Sequence, residues 1–253
     1  MLGTRQAEAK VVGREVEYEA GASIMRGYLA YDDAQKIPRP GILVVHEWWG
    51  VDDYVRSRAR QIADEFGYTA LVVDMYGEGR HADEPEAAGK LSAEISRDVP
   101  TAITRFEAAL AFLRKQKHVA PGQIAAIGYC FGGAVVLNMA RNGEDLAGVV
   151  SFHGNLAPSV TAKPGKVRAR ILVCHGGDDP FVPPAQVDAF RKEMAAVGAN
   201  AKIEVYPGAK HSFTNPASTA RGQKFKLPIA FNAAADTKSW QDMRVFFQSL
   251  FGK

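Results

Sequence analysis

Apolar positions along this chain fall into two kinds of segment that take turns. Short, nearly unbroken apolar runs occupy Gly41 to Val45, Ala70 to Asp74, Ile124 to Ile127, Gly148 to Phe152 and Ile171 to Cys174, and Lys202 to Tyr206 forms a last, more polar one. Runs of this length, apolar on both alternate sets of positions, predict strands covered on both faces, as in a parallel sheet. Between them the apolar residues space out by threes and fours. Tyr54, Val55, Ala59, Ile62 and Phe66 predict a helix closed by Gly67, and Ile103, Phe106, Leu110 and Leu113 predict another. Ala134 to Ala140 reads as a helix, as do Val187, Phe190, Met194 and Val197 ahead of Gly198. Trp240, Met243, Phe247 and Leu250 mark a closing helix.

Val11 to Glu19 and Ser23 to Tyr31, parted by a turn at Gly21, predict an antiparallel pair that opens the chain over about residues 1–35. Residues 77–98, from Gly77 to Asp98, are charged and alanine-rich and predict a partly helical excursion. Strands alternating with helices elsewhere predict an α/β fold, with a mostly parallel sheet covered by helices on both faces. No repeat or linker interrupts it, and residues 1–253 read as one domain.

Bulk properties narrow the classes. A net charge of +3 over 253 residues gives no electrostatic footprint for nucleic acid or an anionic membrane. No apolar run approaches the roughly 18 residues of a membrane-spanning helix. Met1 to Lys10 is polar and has no apolar leader core, and Cys130 and Cys174 are the only cysteines; a cytoplasmic protein is expected. No Cys/His cluster has metal-ligand spacing, so neither a metal nor another cofactor is expected.

In such a sheet, active residues collect at the carboxyl ends of strands. Glu47 and Trp48 follow the first parallel run, Asp74 and Tyr76 the next. Then come Cys130, His153, the Asp178–Asp179 pair and, past Pro207-Gly208, His211. Gly128-x-Cys130-x-Gly132, between an apolar run and a helix, is the pattern of a nucleophile elbow with cysteine in place of serine. Nucleophile, acid and histidine in that chain order predict Cys130, Asp179 and His211 as a triad, with Asp179 favoured over its neighbour. Cys174, inside an apolar strand, reads as structural, and so does His46. The oxyanion hole is expected from the backbone N–H groups of Phe131 and Trp48. Glu47, a carboxylate at the end of a buried strand beside two tryptophans, should have a raised pKa. It is expected within hydrogen-bond reach of the sulfur, or of an alternate rotamer of it, as a proton acceptor.

Taken together, Glu47-x-x-Gly50, Asp74-x-Tyr76, Gly128 to Gly133, Phe152-His153-Gly154, Asp179-x-Phe181-Val182-Pro183 and His211-Ser212-Phe213 resemble the dienelactone hydrolase family. The likeness runs from about Val16 to Phe251. It implies the α/β-hydrolase fold and a small-molecule ester or lactone substrate. The implied chemistry is an acyl-cysteine intermediate on Cys130, with His211, Asp179 and Glu47 as the other catalytic residues. The best-known members grip a substrate carboxylate with two arginines; the matching positions here hold Glu78 and Asn215, and Arg80 is the nearby candidate substitute. Tyr76, Arg80, Trp49, His153, Phe181, Phe213 and Asn215 are the expected substrate contacts. Monomer and homodimer both fit. The alternatives are a ligand-binding or redox-sensing protein on the same fold, and an acyltransferase.

Overall fold

In a computed structural model, which describes residues 11–252, the alternation becomes one eight-stranded sheet flanked by helices. The expectation about Met1 to Lys10 lies outside the described residues. β1 (Val11–Ala20) and β2 (Ser23–Asp32) form the antiparallel opening pair, turning through Gly21 at φ +60°. Then follow β3 (Arg39–Val45), α1 (Asp53–Phe66), β4 (Thr69–Val73), α2 (Pro85–Arg97), α3 (Val99–Arg114) and β5 (Val119–Tyr129). The second half contains α4 (Phe131–Asn142), β6 (Gly148–Phe152), β7 (Arg170–Gly176), α5 (Pro184–Ala196), β8 (Ala201–Tyr206), α6 (Ser218–Phe225) and α7 (Ala233–Phe251). The strand order is β1-β2-β4-β3-β5-β6-β7-β8, parallel from β4 to β8.

The unbroken apolar runs have a direct cause. Leu43 and Val45, Leu71 and Val73, and Ile171 and Val173 face one core, against α3, α4 and α5. Their alternates Ile42 and Val44, Ala70 and Val72, and Leu172 and Cys174 face a second core, against α1 and α7. Each such side chain contributes on the order of 1.5–3 kcal/mol by leaving water. Both faces are therefore apolar, and side-chain alternation carries no polar signal. Cys174 is fully buried in the second core.

Register aligns the strand ends. Val45 pairs with Gly128, Tyr129 with Phe152, Phe152 with Cys174, and Gly176 with Tyr206. The segments leaving this edge therefore start side by side, which brings residues far apart in sequence within reach of one another. No helix among the described residues is long and apolar enough to cross a membrane.

Two elements differ from expectation, and the charged excursion is partly helical as expected. α4 begins at Phe131 rather than Ala134, because Gly132 and Gly133 carry no periodic apolar signal yet are helical. The charged excursion is a loop followed by α2, started by Pro85 in its first turn. α6, with the sequence STARGQKF, has no counterpart in the expected elements, since its polar composition hides its period.

Two glycines permit the tight turn between β5 and α4. A Cβ on Gly128 would lie 2.1 Å from the Gly132 carbonyl oxygen, and one on Gly132 would lie 2.3 Å from the Val45 carbonyl oxygen. Both obstacles are backbone and cannot rotate away. Gly89, on α2, faces open space. Gly128→Ala should therefore cost about 3 kcal/mol or prevent folding, as overpacking does at its upper end. Gly89→Ala should instead stabilise by about 0.5–1 kcal/mol, since it only removes helix-breaking freedom. Urea unfolding of both variants is the check, and equal effects would contradict this account of the turn.

Candidate active site

Cys130 stands at the apex of the β5–α4 turn with φ +53°, a region a non-glycine residue rarely occupies. Its backbone is held from several sides. The Cys130 N–H points to the Phe152 carbonyl oxygen at 3.0 Å and to His153 Nδ1 at 3.1 Å, and the Gly132 N–H donates to the His46 carbonyl oxygen at 3.1 Å. The result presents the sulfur to the loop after β8.

There His211 Nε2 lies 3.1 Å from Cys130 Sγ, and its Nδ1 lies 2.8 Å from Asp179 Oδ2. Asp179 is buried and also accepts the Phe181 N–H at 2.8 Å. Cys130, His211 and Asp179 are thus brought together as expected from their chain order. Burial opposes a charge on His211. The Cys130 sulfur's charge, the hydrogen bonds to Asp179 and Cys130, and the Asp179 charge outweigh it, carrying the His211 pKa up to about 10.

The rival histidines are turned away from the sulfur. His46 is buried, its Nδ1–H donating to the Glu47 carbonyl oxygen and its Nε2 accepting the Met75 N–H at 3.3 Å. His153 has φ +42° and sits beneath the turn: Nδ1 accepts the Cys130 N–H, and Nε2 donates to Thr214 Oγ1 at 2.7 Å. Burial is the first cause that lowers both their pKa values; for His153 the neighbouring His211 charge adds to it. Both are neutral supports.

The backbone N–H groups of Trp48 and Phe131 have no protein acceptor among the described residues, so both are available to a developing oxyanion. The Trp48 main chain is fixed from below. Asp74 gathers the N–H groups of Arg26, Tyr76, Gly77 and Gly79 at 2.8–3.0 Å, and the Tyr76 hydroxyl then donates to the Trp48 carbonyl oxygen at 2.8 Å.

Glu47 is bonded to the histidine loop in this arrangement. Its carboxyl accepts from Ser212 Oγ and, at 2.6 Å, from Asn215 Nδ2; none of its hydrogen bonds goes to the sulfur. Ser212, with φ +60°, directly follows His211, so in this arrangement Glu47 anchors the histidine loop. Burial raises its pKa first, and Asp52 adds to that; the bonds from Ser212 and Asn215 act against it.

The pocket over the sulfur has a volume of about 210 Å³ and is walled by Trp48, Phe181, Leu227 and Ile229 around Cys130, His211 and Ser212. Of the expected substrate contacts, Phe181 lines it. The other six are elsewhere. Asn215 is spent on Glu47, His153 on the turn and Tyr76 on the Trp48 carbonyl. Phe213 is fully buried in the core under the sheet edge, packed on Tyr206 and His153. Trp49 packs against Phe225, with the Arg221 guanidinium 4.6 Å above its ring. Arg80 is not the free cation expected: its guanidinium bonds the Tyr76 carbonyl oxygen and pairs with Glu94 at 2.9 Å. Sequence reasoning missed Ser212, Leu227 and Ile229. The apolar residues around Pro228 were the available signal for the last two. Among the described residues, no cluster of three or more His, Cys, Asp or Glu could hold a metal ion.

A parallel sheet with a strained cysteine turn, a histidine loop and an acid loop on one edge defines an α/β hydrolase, the fold shared by its solved neighbours. Residues 25–251 match the dienelactone hydrolase family, and the chain belongs to that family, which makes it an ester or lactone hydrolase by class. It is 31% identical over 210 residues to protein usf of Aquifex pyrophilus, covering 81% of this chain and 88% of that one. A dienelactone hydrolase-like promiscuous phosphotriesterase from metagenomic libraries superposes with a TM-score of 0.90 at 34% identity, over 96% of this chain and 99% of that one. A protein designated m3DLH does so with 0.90 at 35%, over the same shares.

The buried carboxyl has a consequence for stability. Its folded pKa is raised above the ordinary 4.5, so the folded state holds this proton more tightly than the unfolded chain. That contribution is full below pH 4.5 and is lost as pH rises through the raised folded value. Glu47→Gln has no proton to lose and should gain relative stability steadily above pH 4.5. Urea unfolding of both proteins between pH 4 and 8 checks this; parallel pH dependences would refute it.

Proposed function

We propose that the chain hydrolyses carboxylic esters or lactones through an acyl-cysteine intermediate on Cys130. The observation that carries the reading is His211, bridging Cys130 Sγ at 3.1 Å and Asp179 at 2.8 Å. The sulfur, as thiolate, bonds to the substrate carbonyl carbon, and the resulting oxyanion meets the N–H groups of Trp48 and Phe131. The carbon–oxygen bond to the leaving group breaks as the His211 imidazolium gives that oxygen its proton.

Acylation removes the charge on sulfur, the first of the causes that raise the His211 pKa. The His211 pKa then falls, and the neutral ring serves as base. It takes a proton from water, whose oxygen attacks the thioester carbonyl. The carbon–sulfur bond breaks, thiolate and imidazolium are restored, and one water has been consumed. Asp179 orients the ring throughout, holding Nδ1 so that Nε2 faces the sulfur. Glu47 is a positioning residue in the resting arrangement, through Ser212 and Asn215.

Cys130→Ala should reduce kcat/KM for p-nitrophenyl acetate by about 1,000-fold or more, and iodoacetamide should label Cys130 and stop turnover. Asp179→Asn should be about 10- to 100-fold less damaging, because the residue orients and does not react. An acetyl adduct on Cys130 should be detectable by mass spectrometry after rapid quench. Wild-type rates in Cys130→Ala would end this reading.

A further inference from the structure

We propose that this site selects neutral esters with an apolar acyl group, and that Leu227 and Ile229 set the selection. This rests on the acyl-cysteine reading of the same site. The pocket beside the sulfur is walled by four apolar side chains, Trp48, Phe181, Leu227 and Ile229; its only polar members are His211 and Ser212, beside the sulfur of Cys130. His211 is engaged by Cys130 and Asp179, and Ser212 by Glu47. Among the described residues, no lysine or arginine lines it. Arg80 is held by Glu94, Arg221 lies over Trp49, and Lys226, next to Leu227 in the chain, is exposed. A carboxylate carried into this pocket would lose its water and find no cation beyond the His211 ring, which Cys130 and Asp179 already engage.

Leu227 and Ile229 are placed to discriminate because their segment is fixed to the catalytic loop. Ile229 bridges to His211, the Ala230 N–H donates to the His211 carbonyl oxygen at 3.3 Å, and the Asn232 N–H donates to the Phe213 carbonyl oxygen at 3.0 Å. Gly222 lets α6 lie close against this segment, since a Cβ there would meet the Ile229 carbonyl oxygen at 2.5 Å. The wall is therefore built into the site rather than draped over it. At about 210 Å³ the cavity is below the ~300–1,000 Å³ typical of pockets for drug-sized ligands, which suits a small acyl group.

The test is a matched pair: p-nitrophenyl butyrate against mono-p-nitrophenyl succinate, which share leaving group and acyl length and differ by a terminal carboxylate. The wild-type protein should favour butyrate by about 100-fold or more in kcat/KM. Leu227→Arg, and separately Ile229→Lys in case one variant folds poorly, should shrink that ratio at least about tenfold by giving the carboxylate a partner. Equal rates on the two esters, or a preference for the succinate, would overturn the proposal and leave the hydrolase reading intact. A ratio unmoved in both folded variants would remove Leu227 and Ile229 from the selection. Turnover surviving in Cys130→Ala would instead count against the reading on which the proposal rests.

Discussion

The contact on which the site depends is between two backbones with nothing between them. Gly128 and Gly132 stand either side of Cys130 so closely that a methyl group on Gly128 would strike the Gly132 carbonyl, and one on Gly132 would strike Val45. This approach lets the chain turn from β5 into α4 within one residue and holds Cys130 at φ +53°. Strain of this kind costs on the order of 1–3 kcal/mol and persists only where the surroundings over-determine it. Here they do: Phe152 and His153 take the Cys130 N–H, and His46 takes that of Gly132. The parallel register, ending β3, β5, β6 and β7 on one edge, delivers these partners.

The same edge sorts three histidines by what faces each ring. His46 and His153 are fully buried and their ring nitrogens meet backbone groups and a threonine hydroxyl, so desolvation keeps them neutral. His211 meets a sulfur and a carboxylate, which together overcome desolvation. Burial alone does not make a catalytic base; the sign of its neighbours decides.

How much of this could be read from the chain depended on whether a feature is local. The elbow is local: Gly128, Cys130 and Gly132 announce it within five residues. The triad needed only strand ends in order, and the apolar runs marked those ends. Glu47 was legible as an unusual buried carboxylate, but the partners it bonds here were not. Its partners Ser212 and Asn215 lie more than 160 residues away, and only the fold brings them together. Arg80 failed for a similar reason, since Glu94 on α2 claims its guanidinium. α6 and the wall it supports were invisible because STARGQKF is polar and Pro228 breaks the apolar residues after it.

That wall links two properties usually treated apart. The segment carrying Leu227 and Ile229 bonds the main chain of His211 and Phe213, and Glu47 grips the same loop through Ser212. His211 and the wall residues Leu227 and Ile229 therefore rest on one hydrogen-bonded unit. A change of shape at Leu227 reaches His211 through backbone bonds, without passing through substrate. Tight geometry at Nε2, 3.1 Å from sulfur, leaves little room for such movement. Substitutions that alter only the tip of a side chain on this wall can change the shape of the pocket while leaving His211 in place. Those that displace its backbone change both.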